Sequence, residues 1–121
     1  MFAAALATAL LLANVTAAEV TKPRVYTVTA YTAGPESTGK SVGHPAYGVT
    51  ASGERVQDGH TAACPRELAY GTVIDIEGVG ERVCSDRGGA IKGARIDVYM
   101  TRLSDAKEFG KRKLNVTIRS D

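Results

Sequence analysis

Two aspartates occupy settings in which a carboxylate can do chemistry. Asp97 lies in the run ARIDVYM, between Ile96 and Val98. A carboxylate among such neighbours must find partners or stay protonated, and both states serve acid/base work. The other reading of the same residue is a solvent-facing strand aspartate paired with Arg95. Asp86 precedes RGGAIKG, where an Asx-type turn would let its side chain accept backbone N–H bonds. Asp75 alternates to the polar face between Ile74 and Ile76, as a solubilising residue does. Lys40 and His44 belong to a glycine-rich segment, which reads either as a solvated loop or as a loop covering a substrate groove.

Other chemistries find little footing. No GxGxxG or Walker pattern occurs, and Gly88-Gly89 is not followed by Lys and Ser or Thr, so no nucleotide and no cofactor are implied. A GxSxG elbow is missing, which disfavours a serine hydrolase. There is no CxxC, and His44 and His60 do not flank the cysteines at ligand spacing, so no metal site is expected. Fifteen Lys and Arg against thirteen Asp and Glu give a net charge of +2, too small and too evenly spread for a nucleic-acid footprint. The 121 residues suit one domain, expected as a monomer.

The elements that must position these residues read as short strands joined by turns. Arg24 to Thr32, RVYTVTAYT, alternates with period two and is rich in β-branched and aromatic residues. Residues 33–48 hold four Gly and two Pro and read as a long loop, a place where function often sits. Val49–Ser52 and Thr61–Cys64 read as short strands. TVIDIEG and ERVCS, joined by Gly78-Val79-Gly80, form a hairpin pattern. ARIDVYM presents Ile96, Val98 and Met100 on one face and Arg95, Asp97 and Tyr99 on the other. Ser104 is an N-cap candidate for a helix of at most two turns ending at Gly110, and RKLNVTI is a last strand. Six or seven short strands and one short helix make a small barrel.

The first eighteen residues carry no charge, and Phe2 to Ala13 is dominated by Ala and Leu. The stretch matches a signal h-region and falls short of the roughly 20 apolar residues of a membrane span. Residues 1–18 are therefore expected to be a signal peptide or N-terminal anchor, with residues 19–121 as the folded domain in the periplasm, cell wall or medium. In an oxidising compartment Cys64 and Cys84 would pair, closing a loop of about twenty residues worth roughly 3 kcal/mol in the chain-entropy model. The alternative is two buried free thiols.

The order of segments carries more than any single residue. YTAGPESTGKSVGHPAYGVTASGERV, AACPRELAYGTVIDI, SDRGGAIKGARIDVYM and EFGKRKLNVTI follow one another between Tyr26 and Ile118. Together they resemble the 3D-domain family, named for three aspartates, and the TASGER piece is similar to the rare-lipoprotein-A barrels. The C-terminal part of membrane-bound lytic transglycosylase A carries a similar domain. The resemblance implies a six-stranded double-psi β-barrel with one or two short helices. It also implies a lytic transglycosylase that cuts peptidoglycan glycan strands in cell-wall turnover, leaving 1,6-anhydro-MurNAc ends; the alternative is a non-catalytic glycan-binding barrel. Carried over by position, the second aspartate of the family falls on Asp86 and the third, the acid/base, on Asp97. The first falls on Cys64, in Ala62-Ala63-Cys64-Pro65, a departure from the pattern. Thr50, Ser52, Gly88, Gly89, Lys92 and Lys40 are the expected sugar-binding residues.

Overall fold

The computed structural model describes residues 19–20 and 22–120; the expected export segment, residues 1–18, lies outside them. Seven strands and two short helices are seen among the described residues. They are β1 (Glu19–Val20), β2 (Arg24–Tyr31), α1 (Pro35–Thr38), β3 (Thr61–Ala63), β4 (Val73–Ile76), β5 (Gly80–Asp86), β6 (Arg95–Tyr99), α2 (Leu103–Phe109) and β7 (Arg112–Ser120). Six of them close a barrel in the order β7, β2, β6, β3, β5, β4 and back to β7, while β1 pairs with the far end of β7. The β2–β6 and β3–β5 pairs are parallel and the other four are antiparallel, so the barrel is mixed.

Alternation in the sequence sorts the side chains between the two faces of this wall. Val28, Ile74, Ile76, Ile96, Val98 and Val116 are fully buried and fill the interior together with Tyr26, Ala62, Cys64 and Cys84. Each large aliphatic side chain removed from water in this way stabilises the barrel by about 1.5–3 kcal/mol. Asp97 alternates with Ile96 and Val98, so it stands on the outer face of β6, as Thr29 and Tyr31 do on β2. Cys64 and Cys84 form a disulfide with Cα atoms 5.5 Å apart, tying the end of β3 to the middle of β5.

Three expectations from sequence are corrected. Val49–Ser52 is not a strand: only an isolated bridge, Val49 to Arg55, forms there. The segment closes a tight turn in which Thr50 N–H donates to Glu54 O at 2.7 Å and Gly53 adopts φ +94°. The loop from 33 to 48 contains the single-turn helix α1, whose Glu36 accepts from the Thr32 hydroxyl at the end of β2. Ser104 does not cap α2. The helix starts at Leu103 after Arg102, with no side-chain cap, which puts Ser104 inside the first turn; just before it the Thr101 hydroxyl donates to Asp58 at 3.0 Å. Ala106 and Phe109 bury the inner face of α2, which packs against β2, and Gly110 ends it at φ +65°.

Candidate functional site

A groove of about 400 Å³ runs along the outer wall of the barrel. Four strands contribute one residue each to it: Tyr31 from β2, Asp97 from β6, Ala63 from β3 and Asp86 from β5. The segment from Ser37 to Ala51 lies over it, and Arg87, Gly88 and Ile91 close one end.

Strand register explains why the two aspartates share this groove. Ala63 pairs with Asp97 on its antiparallel side and with Asp86 on its parallel side. Directly paired residues point to the same face of a sheet. Asp86, Ala63, Asp97 and Thr29, which pairs with Asp97, therefore form one row across four strands. With strands roughly 4.8 Å apart, the backbones of the two aspartates stand about 10 Å from each other. The methyl group of Ala63 leaves the space between the carboxylates open. Asp86 joins the row only through an irregularity in the β3–β5 ladder: Ala62 pairs with Cys84, yet Ala63 pairs with Asp86, passing over Ser85. Regular pairing would bring Ser85 opposite Ala63 and turn Asp86 to the other face, which is how a bulge redirects a side chain.

The two carboxylates have different surroundings. Asp86 Oδ1 accepts the N–H groups of Ala51 and Arg87, both at 2.8 Å, and Oδ2 accepts the Tyr31 hydroxyl at 2.7 Å. Asp86 accepts backbone N–H bonds as expected, but from the adjacent Arg87 and not from Gly88 two residues on, so no Asx turn forms; the Ala51 bond ties the TASG turn to the barrel. Asp97 is half-buried, and its one side-chain hydrogen bond among the described residues is from the Thr29 hydroxyl to Oδ1 at 2.9 Å. Burial pushes its carboxyl above the ordinary value of 3.8; the Thr29 bond and the charge of Arg95 pull it back, and the charge of Asp86 pushes it up further. Arg95 acts through its field alone, without forming an ion pair with Asp97, so the surface ion-pair reading of Asp97 does not describe this site. Tyr31 is held protonated well above the usual phenol range by its burial, its bond to Asp86 and the nearby charges, and its ring meets Tyr99 edge-on at 5.7 Å.

The expected sugar-binding residues divide. Thr50, Lys40 and Gly88 line the groove with the aspartates. Ser52 stands behind Thr50, their hydroxyls 2.9 Å apart, and Gly89 and Lys92 line a neighbouring groove. His44 is exposed and accepts the Ala46 N–H on Nδ1. Tyr31, Thr29, Ala63 and Arg87 were not singled out by the sequence. Arg87 reaches the carbonyls of Cys64 at 3.2 Å and Leu68 at 2.9 Å and stacks over Tyr70, bracing the chain that follows β3. Alternation places Thr29 and Tyr31 on one face, but nothing local says that β2 neighbours β6. No cluster of metal-binding side chains occurs among the described residues.

The chain is similar to several known proteins. The chain is 36% identical over 104 residues to the cell wall-binding protein YocH of Bacillus subtilis, covering 83% of this chain and 33% of that protein. It is 32% identical over 97 residues to YabE of the same organism, named for a cell wall shaping role, covering 69% of this chain and 24% of that protein. The chain thus spans about a third or less of these relatives. The crystal structure of MltA from E. coli aligns with a TM-score of 0.49 at 21% identity, covering 60% of this chain and 27% of that one. The family model of the 3D domain matches residues 61–119, from β3 to β7, a span that holds Cys64, Asp86 and Asp97. The segment from β3 to β7 is thus similar to the 3D domain.

Proposed function

We propose that the protein acts outside the cytoplasm on bacterial peptidoglycan, as a lytic transglycosylase that cuts the glycan strand and leaves 1,6-anhydro ends. The observation that carries this reading is the contrast at the groove: Asp86 is engaged by three donors, while Asp97 keeps one oxygen without a partner among the described residues and holds its proton more tightly than an ordinary carboxyl. A glycosidase that uses water needs two working carboxyl groups. A transglycosylase of this kind needs one. Asp97 as the acid gives its proton to the glycosidic oxygen, and the bond from the anomeric carbon to that oxygen breaks. The C6 hydroxyl of the same sugar then attacks the anomeric carbon, and the Asp97 carboxylate takes the hydroxyl proton, which restores the starting acid without consuming water. Asp86, fixed as an acceptor, faces the positive charge that develops on the sugar ring.

The second reading is a non-catalytic barrel that holds cell-wall glycan. It is favoured by Cys64, which stands in a disulfide where the family pattern has its first aspartate, and by the binding role in the name of YocH. Both readings fit an oxidising compartment, which the disulfide supports. Incubating the purified protein with sacculi and analysing soluble products by mass spectrometry separates them. The expected outcome is release of anhydro-muropeptides, lost in Asp97→Asn by 10²- to 10⁴-fold, the range of general acid/base catalysis. Sedimentation with sacculi without any soluble product supports the binding barrel and removes the catalytic reading.

A further inference from the structure

A second groove, of about 500 Å³, opens off the first at Arg87, Gly88 and Ile91, which line both. Its remaining walls are Arg66, Glu67, Gly89 and Lys92. Arg87 is committed to the carbonyls of Cys64, Asp86 and Leu68. Arg66 and Lys92 are exposed, and neither side chain has a hydrogen-bond or ion-pair partner among the described residues. The N–H groups of Gly88 and Gly89 likewise donate to no acceptor there. The floor is apolar, since Ile91 is 7% exposed and packs under Gly88, where an added Cβ would come within 3.0 Å of it. Two cations outweigh one carboxylate, with free amides beside an apolar floor. That is a surface suited to an anion carried on a small aliphatic chain.

We propose that this side groove binds the acidic peptide substituent of the glycan, with Arg66 and Lys92 pairing its carboxylates and Ile91 meeting its small apolar side chains. This rests on the peptidoglycan reading of the main groove. A sugar positioned at Asp97 has its substituents within the width of the wall, and a peptide leaving the main groove past Gly88 enters the side groove directly. A side chain at Gly88 would close the junction. Phosphate polymers of the wall share the anionic chemistry, so the test must tell the two apart.

Binding of the wild-type protein and the double variant Arg66→Ala/Lys92→Ala is measured on three preparations: intact sacculi and sacculi freed of phosphate polymers with the peptides retained, both by co-sedimentation, and glycan strands stripped of peptide by an amidase and immobilised on beads. The variant is expected to bind the first two preparations about five- to ten-fold more weakly than wild type, with the difference shrinking at high salt, and to bind stripped strands equally well. Equal binding of variant and wild type to intact sacculi overturns the proposal. So does an equal loss on stripped strands, or a loss that disappears when the phosphate polymers are removed. Product release is recorded in parallel. Peptide-dependent binding without anhydro products supports the side groove and counts against catalysis at Asp97, so the two ideas fail separately.

Discussion

The two walls that flank Ala63 hold the same functional group in opposite ways. On the β5 wall, Asp86 is set by a bulge, saturated by Ala51, Arg87 and Tyr31, and backed by the Cys64–Cys84 disulfide and the Arg87 brace. On the β6 wall, Asp97 sits in regular pairing and touches one hydroxyl. A carboxylate whose lone pairs are taken by fixed donors is an anchor and a source of negative field. A half-buried carboxyl with a free oxygen is suited to carry a proton. The barrel thus gives two chemically identical side chains different surroundings, and the proposed reaction uses that difference.

The sharpest test of that division is to remove one charge at a time. Asp97→Asn should abolish cleavage within the range given above. Asp86→Asn keeps one oxygen that can accept from both Ala51 and Arg87, so the fold of the site survives, and the loss should be nearer ten-fold. Its second effect is on pH. In the proposed reaction cleavage requires the Asp97 proton, so activity should fall as pH rises through the raised pKa of Asp97, and the charge of Asp86 is one of the causes of that rise. In Asp86→Asn the alkaline limb of the pH–activity profile should move to lower pH. Equal losses in the two variants, with no movement of the limb, would erase the distinction between the walls.

Next in size is the disulfide. Replacing both cysteines with alanine should lower stability by about 3 kcal/mol and the Tm by more than roughly ten degrees, measured by thermal unfolding. The damage should centre on the β5 wall: hydrogen exchange at Arg87 and Ala51, whose amides are held by Asp86, should rise more than exchange on β6. A uniform increase around the barrel would show that the two walls do not differ in what secures them. Smaller again is Tyr31→Phe, which removes a hydroxyl donor to a charged acceptor at 2.7 Å and should cost about 1.5 kcal/mol in urea unfolding. Its activity loss should resemble that of Asp86→Asn, since Tyr31 acts through Asp86.

How much of this was legible in the sequence follows the range of the interactions. Period-two alternation revealed β2, β6, β7 and the β4–β5 hairpin because each strand buries one face in the same core. The cysteine pair could be read once export was inferred. The segment at Val49–Ser52 looked like a strand by residue type. It is a turn because Ala51 gives its N–H to Asp86, 35 residues away, and no ladder partner runs alongside. The same distance effect hid Tyr31 and Thr29, whose partners Asp86 and Asp97 lie 55 and 68 residues further on. The bulge that turns Asp86 into the groove has no local signature, since Ser85 and Asp86 would suit either register. Local pattern gives the strands, and the pairing of distant strands gives the site.

The smallest expected effect tests the Asp97 wall without any substrate. Burial is the largest cause of its raised pKa, so the folded protein favours the protonated form relative to the unfolded chain. The sign follows: the stabilising contribution of Asp97 is fully present below its unfolded value of 3.8 and is lost as pH rises through the folded value. Above the folded value the wild type carries a half-buried charge that the fold disfavours. Asp97→Asn removes that charge, and its amide oxygen can still accept from Thr29. The variant should therefore melt above wild type at pH 7, and the gap should close as pH falls toward 3.8. A variant that is inactive yet more stable at neutral pH would identify Asp97 as a group held at some expense to the fold, whereas a gap that is absent or independent of pH would return it to the status of an ordinary surface carboxylate.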